Sequence, residues 1–537
     1  MEFLGKTLSG CYTIPSGIVT TATPIIQYFL DNVPEVGIIT TKSIGPVPRA
    51  GYREPVISQY APGCFVNAVG LTNPGAEQSV DLLGALKVPE DRYLLTSIFG
   101  GSIEEFVEVA RLLAPVSDGL ELNLSCPHAK GYGMAMGQDP ELGKEITAAV
   151  KAAVDIPVIL KLTPNTDNIE AIAKAAVAGG ADALCAINTV GPGYFSAHGS
   201  QVLSNGVGGL SGKGVLPIGL KCVQQIAEAV DCPIIGCGGV GDADDVRAYQ
   251  DAGATIVGVG STLVGMTSSE IARYFHDLSR DMDAGSNEAG EQIRYDIDMR
   301  FSPVTLVENA RVCDDITLLR FDRSINIQAG EFVFLWLPGL GEKPFSALTD
   351  DPFTLAVIDV GEFTHALMSL APGTQAYIRG PYGIPATPPE DSQIICVAGG
   401  TGLAAVYQIA RDFGDTEIFV GARTAERLYY LEECQQVADV HVATDDGSEG
   451  FNGLVTEALR TRLEGMNTTE LASLVFYNCG PEPMVHAAEA VQREYCAGTQ
   501  IFSAIDYLTK CGVGLCGACA APDGRRLCVD GPFLQLT

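Results

Sequence analysis

Four cysteines toward the C-terminal end are spaced Cys511-x4-Cys516-x2-Cys519-x8-Cys528, with Gly512, Gly514 and Gly517 threaded between them. A C-x4-C-x2-C run followed by a distant cysteine is the plant-type [2Fe–2S] spacing, in which glycines let backbone amides approach the sulfurs. A structural zinc is the competing use of four thiolates, but zinc knuckles usually pair two C-x2-C hairpins, and this segment holds one. Upstream, VAGGTG at 397–402 follows a β-branched run and opens a helical stretch, so its backbone can approach a pyrophosphate at a helix N-terminus. A tight strand-to-helix turn would use the same glycines for packing. NCGP at 478–481 places a second small-residue turn on the same edge, and the two together point to a nicotinamide dinucleotide cleft around Gly400, Gly402, Cys479 and Gly480.

The N-terminal half carries a different set. Asn123-Leu124-Ser125-Cys126-Pro127-His128 closes a strand-like run. A cysteine in such a loop can act as a general base where its thiolate is accessible at low cost, and asparagines offer donors and acceptors to a small amide-rich ring. The alternative for Cys126 is an ordinary buried thiol, and for His128 a capping role. Glycine clusters at 208–212, 236–239 and 260–261 occupy late strand-to-helix loops, a usual place to grip phosphate.

These residues need a frame, and the chain supplies one. Over roughly the first 265 residues, short β-branched runs at 11–16, 37–42, 93–99, 119–126, 157–162, 183–189, 233–240 and 255–260 alternate with helix-length Ala-rich stretches. Eight such units predict an α/β fold, a (β/α)8 TIM barrel, with Lys42, Asn67, Asn123, Lys161, Asn188, Gly238 and Gly260 where strands give way to loops. The polar acidic stretch 267–290 reads as a linker. From 295 to about 385, short alternating strands with Gly and Pro turns predict a small antiparallel β-barrel. The runs at 394–398, 417–420, 441–443 and 474–478 then predict a Rossmann-like parallel sheet.

The whole chain has 537 residues, a formal charge of −32 and 47% hydrophobic residues. That composition offsets chain entropy, and the acidity disfavours nucleic acid or anionic lipid as partners. No apolar run reaches the roughly 18–20 residues of a membrane span, and the start lacks the pattern of a signal peptide, so the expected location is cytoplasmic. Sixteen cysteines in such a setting read mostly as thiols rather than disulfides.

The motifs resemble a known family. TTKS at 40–43, NAVGLTNPG at 67–75, NLSCP at 123–127, KLTPN at 161–165, INT at 187–189, GGLSG and GCGGV are similar to the barrel of class 1 dihydroorotate dehydrogenases. EKPFS, GEFT, RGPYG, VAGGTG, ATDDGS, NCGP and CGVGLCGAC with LCVDGP resemble the electron-transfer subunit of the NAD-dependent class 1B enzymes, so two polypeptides look fused into one. The resemblance implies four segments: residues 1–285 an FMN-binding barrel, 293–387 an FAD-binding β-barrel, 388–500 an NAD-binding α/β domain, and 501–537 a [2Fe–2S] segment. It implies FMN held by Lys42, Ser43, Lys161, Gly209, Gly238, Gly239, Gly260 and Ser261, and FAD held by Lys343, Pro344, Ser346 and Thr364. NAD would lie at Gly400, Gly402, Cys479 and Gly480, and the cluster on Cys511, Cys516, Cys519 and Cys528. Cys126 would be the base, with Asn67, Val69, Gly70, Leu71, Asn123, His128, Asn188 and Thr189 around the substrate.

The implied activity is oxidation of (S)-dihydroorotate to orotate in pyrimidine (UMP) biosynthesis, with a homodimer formed through the barrel. Hydride chemistry moves two electrons and an iron–sulfur cluster carries one, so a flavin is required on each side of the cluster. Two departures stand in the motifs. NLSCPH, with His128 where the family has Asn, is similar to dihydropyrimidine dehydrogenases and keeps open a second activity, NADH-dependent reduction of uracil or thymine. Lys343 replaces an Arg common in such flavin barrels, keeping the charge and losing the fork. A third reading, a non-enzymatic electron-transfer protein with a decayed barrel, is disfavoured by the retention of Cys126, Lys42, Lys161 and the asparagines.

Overall fold

The computed structural model describes residues 1–124, 134–505 and 508–536; Cys126 and His128 lie outside them. The chain divides into two compact units, Met1–Met299 with Val513–Arg526, and Arg300–Gly512 with Leu527–Thr537.

In the first unit the strands of three or more residues are β1 (Tyr12–Ile14), β2 (Val36–Thr40), β3 (Ile57–Ala61), β4 (Cys64–Asn67), β5 (Tyr93–Ile98), β6 (Gly119–Asn123), β7 (Val158–Leu162), β8 (Ala183–Ala186), β9 (Val190–Tyr194), β10 (Val207–Gly212), β11 (Ile234–Cys237) and β12 (Ile256–Gly258). Eight of them close a parallel barrel in the order β8-β11-β12-β1-β2-β5-β6-β7, one for each run expected from the sequence. Strand side chains alternate between two faces. One set, including Ile38, Tyr93, Leu95, Ile159, Cys185, Ile235, Cys237 and Ile256, forms one core cluster. The other, including Leu94, Leu120, Leu160 and Leu184, joins a second with the helices. Fully burying each such side chain contributes roughly 1.5–3 kcal/mol.

Two expectations need correction. The stretch 267–290 is not a linker: Ser268–Ala284 is a 17-residue helix, opened by a capping box between Thr267 and Glu270. Ile271, Tyr274, Phe275 and Leu278 are buried on its apolar stripe, a helical period obscured in the sequence by the acidic residues between them. The glycines at 208–212 are not a loop either. They lie in β10, within a four-stranded sheet ordered β9-β10-β4-β3. Glycine suits this strand because neighbours crowd it: a Cβ on Gly208 would stand 2.7 Å from the Asn67 carbonyl oxygen.

The second unit holds two seven-stranded sheets. The first comprises β13 (Ser302–Cys313), β14 (Ile316–Phe321), β15 (Phe332–Leu337), β16 (Gly341–Phe345), β17 (Thr349–Asp350), β18 (Phe353–Ile358) and β19 (Gln375–Tyr382). It is antiparallel in the order β16-β15-β19-β13-β14-β18-β17. Among the described residues its ends do not pair, so the expected small barrel is a sheet whose ladder does not close. The other comprises β20 (Gln393–Gly399), β21 (Thr416–Ala422), β22 (Asp439–Thr444), β23 (Phe451–Asn452), β24 (Leu474–Cys479), β25 (Ile501–Ala504) and β26 (Leu534–Gln535). Its order is β23-β22-β21-β20-β24-β25-β26, parallel except for β26. Strand order reverses at β20, the chain building outward on one side through β21, β22 and β23 and then on the other through β24 and β25, which puts a crevice at the carboxyl ends of β20 and β24.

Candidate active site

Hydrogen bonds gather the predicted polar residues at the carboxyl ends of the barrel strands. The Ser43 hydroxyl accepts from Asn123 Nδ2 at 2.9 Å and lies 2.9 Å from the Ser97 hydroxyl. Asn188 Nδ2 donates to Asn123 Oδ1 at 3.3 Å, and Asn188 Oδ1 accepts from the Thr189 amide at 2.8 Å. Asn67 Nδ2 donates to the Gly209 carbonyl at 3.3 Å. A Cβ on Gly209 would stand 2.0 Å from Thr189 Oγ1. Gly209, expected beside a phosphate, is thus set against Asn67 and Thr189, the residues expected around the substrate.

The loop holding Val69, Gly70 and Leu71 turns sharply, with φ of +85° at Gly70 and +57° at Leu71. Asn73 clamps it: Nδ2 donates to the Leu71 carbonyl at 2.8 Å, and Oδ1 accepts from the amides of Gly75 and Gly45 at 2.8 and 3.2 Å. Asn165 does similar work on the opposite loop, donating to the Thr189 carbonyl at 3.0 Å and accepting from the Gly191 amide at 2.8 Å. Both stand in quoted motifs, yet their roles depend on contacts that spacing alone does not reveal.

Lys161 lies in the barrel interior, 6% exposed, with its ammonium 3.6 Å from a carboxylate oxygen of Glu121, itself 1% exposed. Burial alone would lower the lysine's affinity for its proton; the Glu121 charge outweighs that and holds it above its ordinary value. Sequence reasoning missed Glu121. Its signal was an acidic residue two positions before Asn123, hence on the same face of β6. Lys42 is set by its backbone, whose amide donates to the Thr20 carbonyl at 3.2 Å. Gly17, at φ +82°, leaves room for the Lys42 amine, which a Cβ there would meet at 2.9 Å.

Gly238 and Gly239 have φ of +134° and +79°. A Cβ on Gly239 would press within 2.9 Å of the Gly212 carbonyl and 2.8 Å of the Leu216 amide nitrogen. Gly260 precedes a short helical turn, Ser261–Leu263. These small-residue turns, with two lysines nearby in the same barrel, fit a flavin phosphate and ring.

In the second unit the two glycine turns meet. A Cβ on Gly402 would fall 2.1 Å from the Cys479 carbonyl oxygen, and one on Gly480 would fall 2.9 Å from the Gly399 nitrogen. Gly400, at φ +54°, faces open space, and helix Leu403–Phe413 follows, which fits a dinucleotide at the crevice. Lys343 and Pro344 lie on β16 with Ser346 just beyond. The Thr364 hydroxyl is taken up locally, accepting from the amides of Val360 and Gly361 at 2.9 and 3.1 Å. Elsewhere in this unit, Glu417 accepts two hydrogen bonds from Arg462 and one from His441. Burial would raise its pKa, but these partners hold it at about 2. The histidine and arginine line a cavity of about 580 Å³ that includes none of the sequence-predicted residues.

Cys511, Cys519 and Cys528 are buried and Cys516 is partly exposed, none of them in a disulfide. Gly512, Gly514 and Gly517 all have φ between +67° and +78°, which turns successive amides in a way that suits a thiolate-bound cluster. Among the described residues no three His, Cys, Asp or Glu side chains converge as a single-ion site, and a [2Fe–2S] cluster, with two thiolates at each iron, needs no such point. Within the first unit the loop is tied down: the Val19 amide donates to the Leu515 carbonyl at 2.7 Å, and Thr21 Oγ1 donates to that of Cys516 at 2.6 Å. Fully buried Arg526 donates to the carbonyls of Gly514 and Met266 at 2.5 and 2.7 Å.

A parallel barrel with a polar cluster at its carboxyl end, followed by an antiparallel sheet, a dinucleotide crevice and a four-cysteine segment, defines an oxidoreductase architecture. Family models agree in the same order: dihydroorotate dehydrogenase over residues 1–279, an oxidoreductase NAD-binding domain over 396–490, and the iron–sulfur cluster binding domain of dihydroorotate dehydrogenase B over 508–537. Similar proteins include the catalytic subunit of dihydroorotate dehydrogenase B (NAD(+)) from Methanosarcina mazei, 47% identical over 42% of this chain and 73% of the relative. The Thermococcus kodakarensis counterpart is 44% identical over 46% of this chain and 84% of the relative. The chain belongs to the dihydroorotate dehydrogenase family, and it joins the barrel to NAD-binding and iron–sulfur segments in one polypeptide.

Proposed function

We propose that this chain oxidises (S)-dihydroorotate to orotate and delivers the electrons to NAD+, as a step of pyrimidine (UMP) biosynthesis. The observation that carries the reading is the amide-rich cluster of Asn67, Asn123, Asn188 and Thr189, built at the end of a barrel whose interior presents Lys161. FMN, [2Fe–2S] and FAD, when bound, supply an electron path from substrate to NAD that converts two-electron into one-electron steps and back. The protein's own work is positioning and proton transfer. The four clustered residues hold the pyrimidine amides, and the backbone at Val69, Gly70 and Leu71 receives the carboxylate. Cys126 takes the proton from C5.

Lys42, Ser43 and Lys161 hold the FMN ring, with Gly238, Gly239, Gly260 and Ser261 around its phosphate and Gly209 between that site and the substrate. Lys343, Pro344, Ser346 and Thr364 serve FAD; Gly400, Gly402, Cys479 and Gly480 serve NAD; Cys511, Cys516, Cys519 and Cys528 hold the cluster. The domain limits expected from the sequence accompany this reading, as do a cytoplasmic location and a homodimer through the barrel. No helix among the described residues is long and apolar enough to cross a membrane.

The test is anaerobic addition of dihydroorotate, and separately of dihydrouracil, to purified protein while flavin bleaching and NADH formation are followed. Bleaching by dihydroorotate alone, abolished in Cys126→Ala, is the expected result. His128 favours the second reading, and bleaching by dihydrouracil alone would replace the first with it.

A further inference from the structure

The motif RGPYG at 379–383 has no task in the account above, and its arginine is the most enclosed cation of the second unit. Arg379 and Glu342 form an ion pair with both side chains 0% exposed. Nε and Nη2 of Arg379 donate to the two Glu342 oxygens at 2.9 and 2.7 Å. The remaining arm, Nη1, donates to the carbonyl oxygen of Cys511 at 3.0 Å. The guanidinium lies 3.9 Å from the centre of the Phe334 ring and 5.3 Å from that of Tyr382. The chain at Gly512, with φ +78°, rests directly on this assembly: a Cβ there would fall 2.6 Å from Phe334 and 3.3 Å from Arg379 Nη1.

The same motif holds the far side of the segment. The Ile384 amide, just past RGPYG, donates to the Gly531 carbonyl at 2.6 Å, three residues after Cys528. A Cβ on Gly383 would fall 2.9 Å from that same oxygen.

A buried ion pair is a poor device for stability, because desolvation cancels much of its attraction and an apolar pair of similar volume often does as well. What it supplies is direction. A forked cation with two arms fixed by a carboxylate can aim its third at one chosen acceptor. We infer that Arg379 is a positioning residue for electron transfer: with Glu342 it fixes Cys511, the first cluster ligand, to the strand that carries Lys343 and Pro344. This rests on the reading of Cys511 as a cluster ligand and of β16 as part of the flavin site.

Charge and geometry separate in two variants of the full-length holoprotein. Glu342→Gln keeps the shape and leaves the guanidinium unbalanced beside the cluster loop. Its cluster midpoint potential, from spectroelectrochemical titration, is expected to shift positive. Arg379→Lys keeps the charge and loses the fork. Its reduced cluster is expected to show altered g-values in electron paramagnetic resonance, and the ratio of dihydroorotate–NAD+ to NADH–ferricyanide turnover is expected to fall at least tenfold.

Wild-type potential and g-values in both variants, at wild-type iron content, overturn the proposal. Loss of iron with FAD retained supports it, whereas loss of both overturns it by making the pair a prop for the whole sheet. A wild-type chain that takes up no iron would instead refute the cluster assignment, and that is measured before either variant is made.

Discussion

Replacing Glu121 by glutamine strands a lysine inside the barrel. Lys161 is 6% exposed and the Glu121 carboxylate stands 3.6 Å from its ammonium. Without that charge the protein must either bury a cation that has lost its carboxylate partner, at about 3–5 kcal/mol, or release the proton. From an ordinary lysine value of 10.5, release at about pH 7.5 costs roughly 4 kcal/mol. The cheaper route sets the loss, so Glu121→Gln is expected to cost about 3–4 kcal/mol, or some 6–8 °C at roughly 2 °C per kcal/mol.

The pH dependence gives the mechanism away. If Lys161 is neutral when folded and charged when unfolded, the unfolded chain binds one proton more. Stability of the variant then rises by about 1.4 kcal/mol per pH unit until the unfolded value near 10.5 is passed. Wild type, charged in both states, lacks this slope, and its pair is complete throughout the same window. Thermal unfolding of the flavin-saturated proteins at pH 7.5 and pH 9 should therefore show a penalty about 1–2 kcal/mol smaller at the higher pH. A deficit below about 1 kcal/mol that does not change with pH would refute the argument.

Other perturbations follow from neighbouring geometry. Gly209→Ala would drive a methyl into Thr189 Oγ1, 2.0 Å away, and should weaken orotate at least tenfold, about 1.4 kcal/mol, by flavin spectral titration. Arg526→Met removes two charge-assisted hydrogen bonds to Gly514 and Met266, about 3–5 kcal/mol together, and should lower the iron and sulfide bound per chain on chemical assay. Glu417, held at about 2, contributes stability that is complete above its unfolded value near 4.5 and is lost as pH falls toward 2. Its partners are more than a third exposed, which limits the contribution to about 1–2 kcal/mol. Hydrogen exchange across residues 416–422, corrected for intrinsic rates, should separate Glu417→Gln from wild type at pH 6, with the gap narrowing below pH 4.5.

What the sequence disclosed follows the range of the interaction. Barrel strands are legible because β-branched runs such as VILKL carry their own preference. The glycine turns are legible because positive φ demands glycine locally. The helix Ser268–Ala284 was hidden because only four of its buried positions are apolar enough to set a period. Strand β10 was hidden because its glycines serve neighbours distant in sequence, Asn67 and Thr189. Glu121, Arg379 and Arg526 were missed for that reason too: Arg379 meets Cys511 across 132 positions and Arg526 meets Met266 across 260, and no local pattern records such meetings.

The tie between Thr21 and Cys516 spans 495 positions, and this has a meaning in time. A ribosome finishes the eight barrel strands long before it makes the segment Val513–Arg526 that packs with them. For the whole interval in which residues 300–512 are made, the backbone near Val19 and Thr21 lacks the partners it has in the finished fold. Maturation of the first unit thus waits for a segment made after residues 300–512, as is usual where long-range contacts close a fold late. A chain interrupted anywhere before residue 513 is left with a barrel whose surface was shaped for a segment that never arrives.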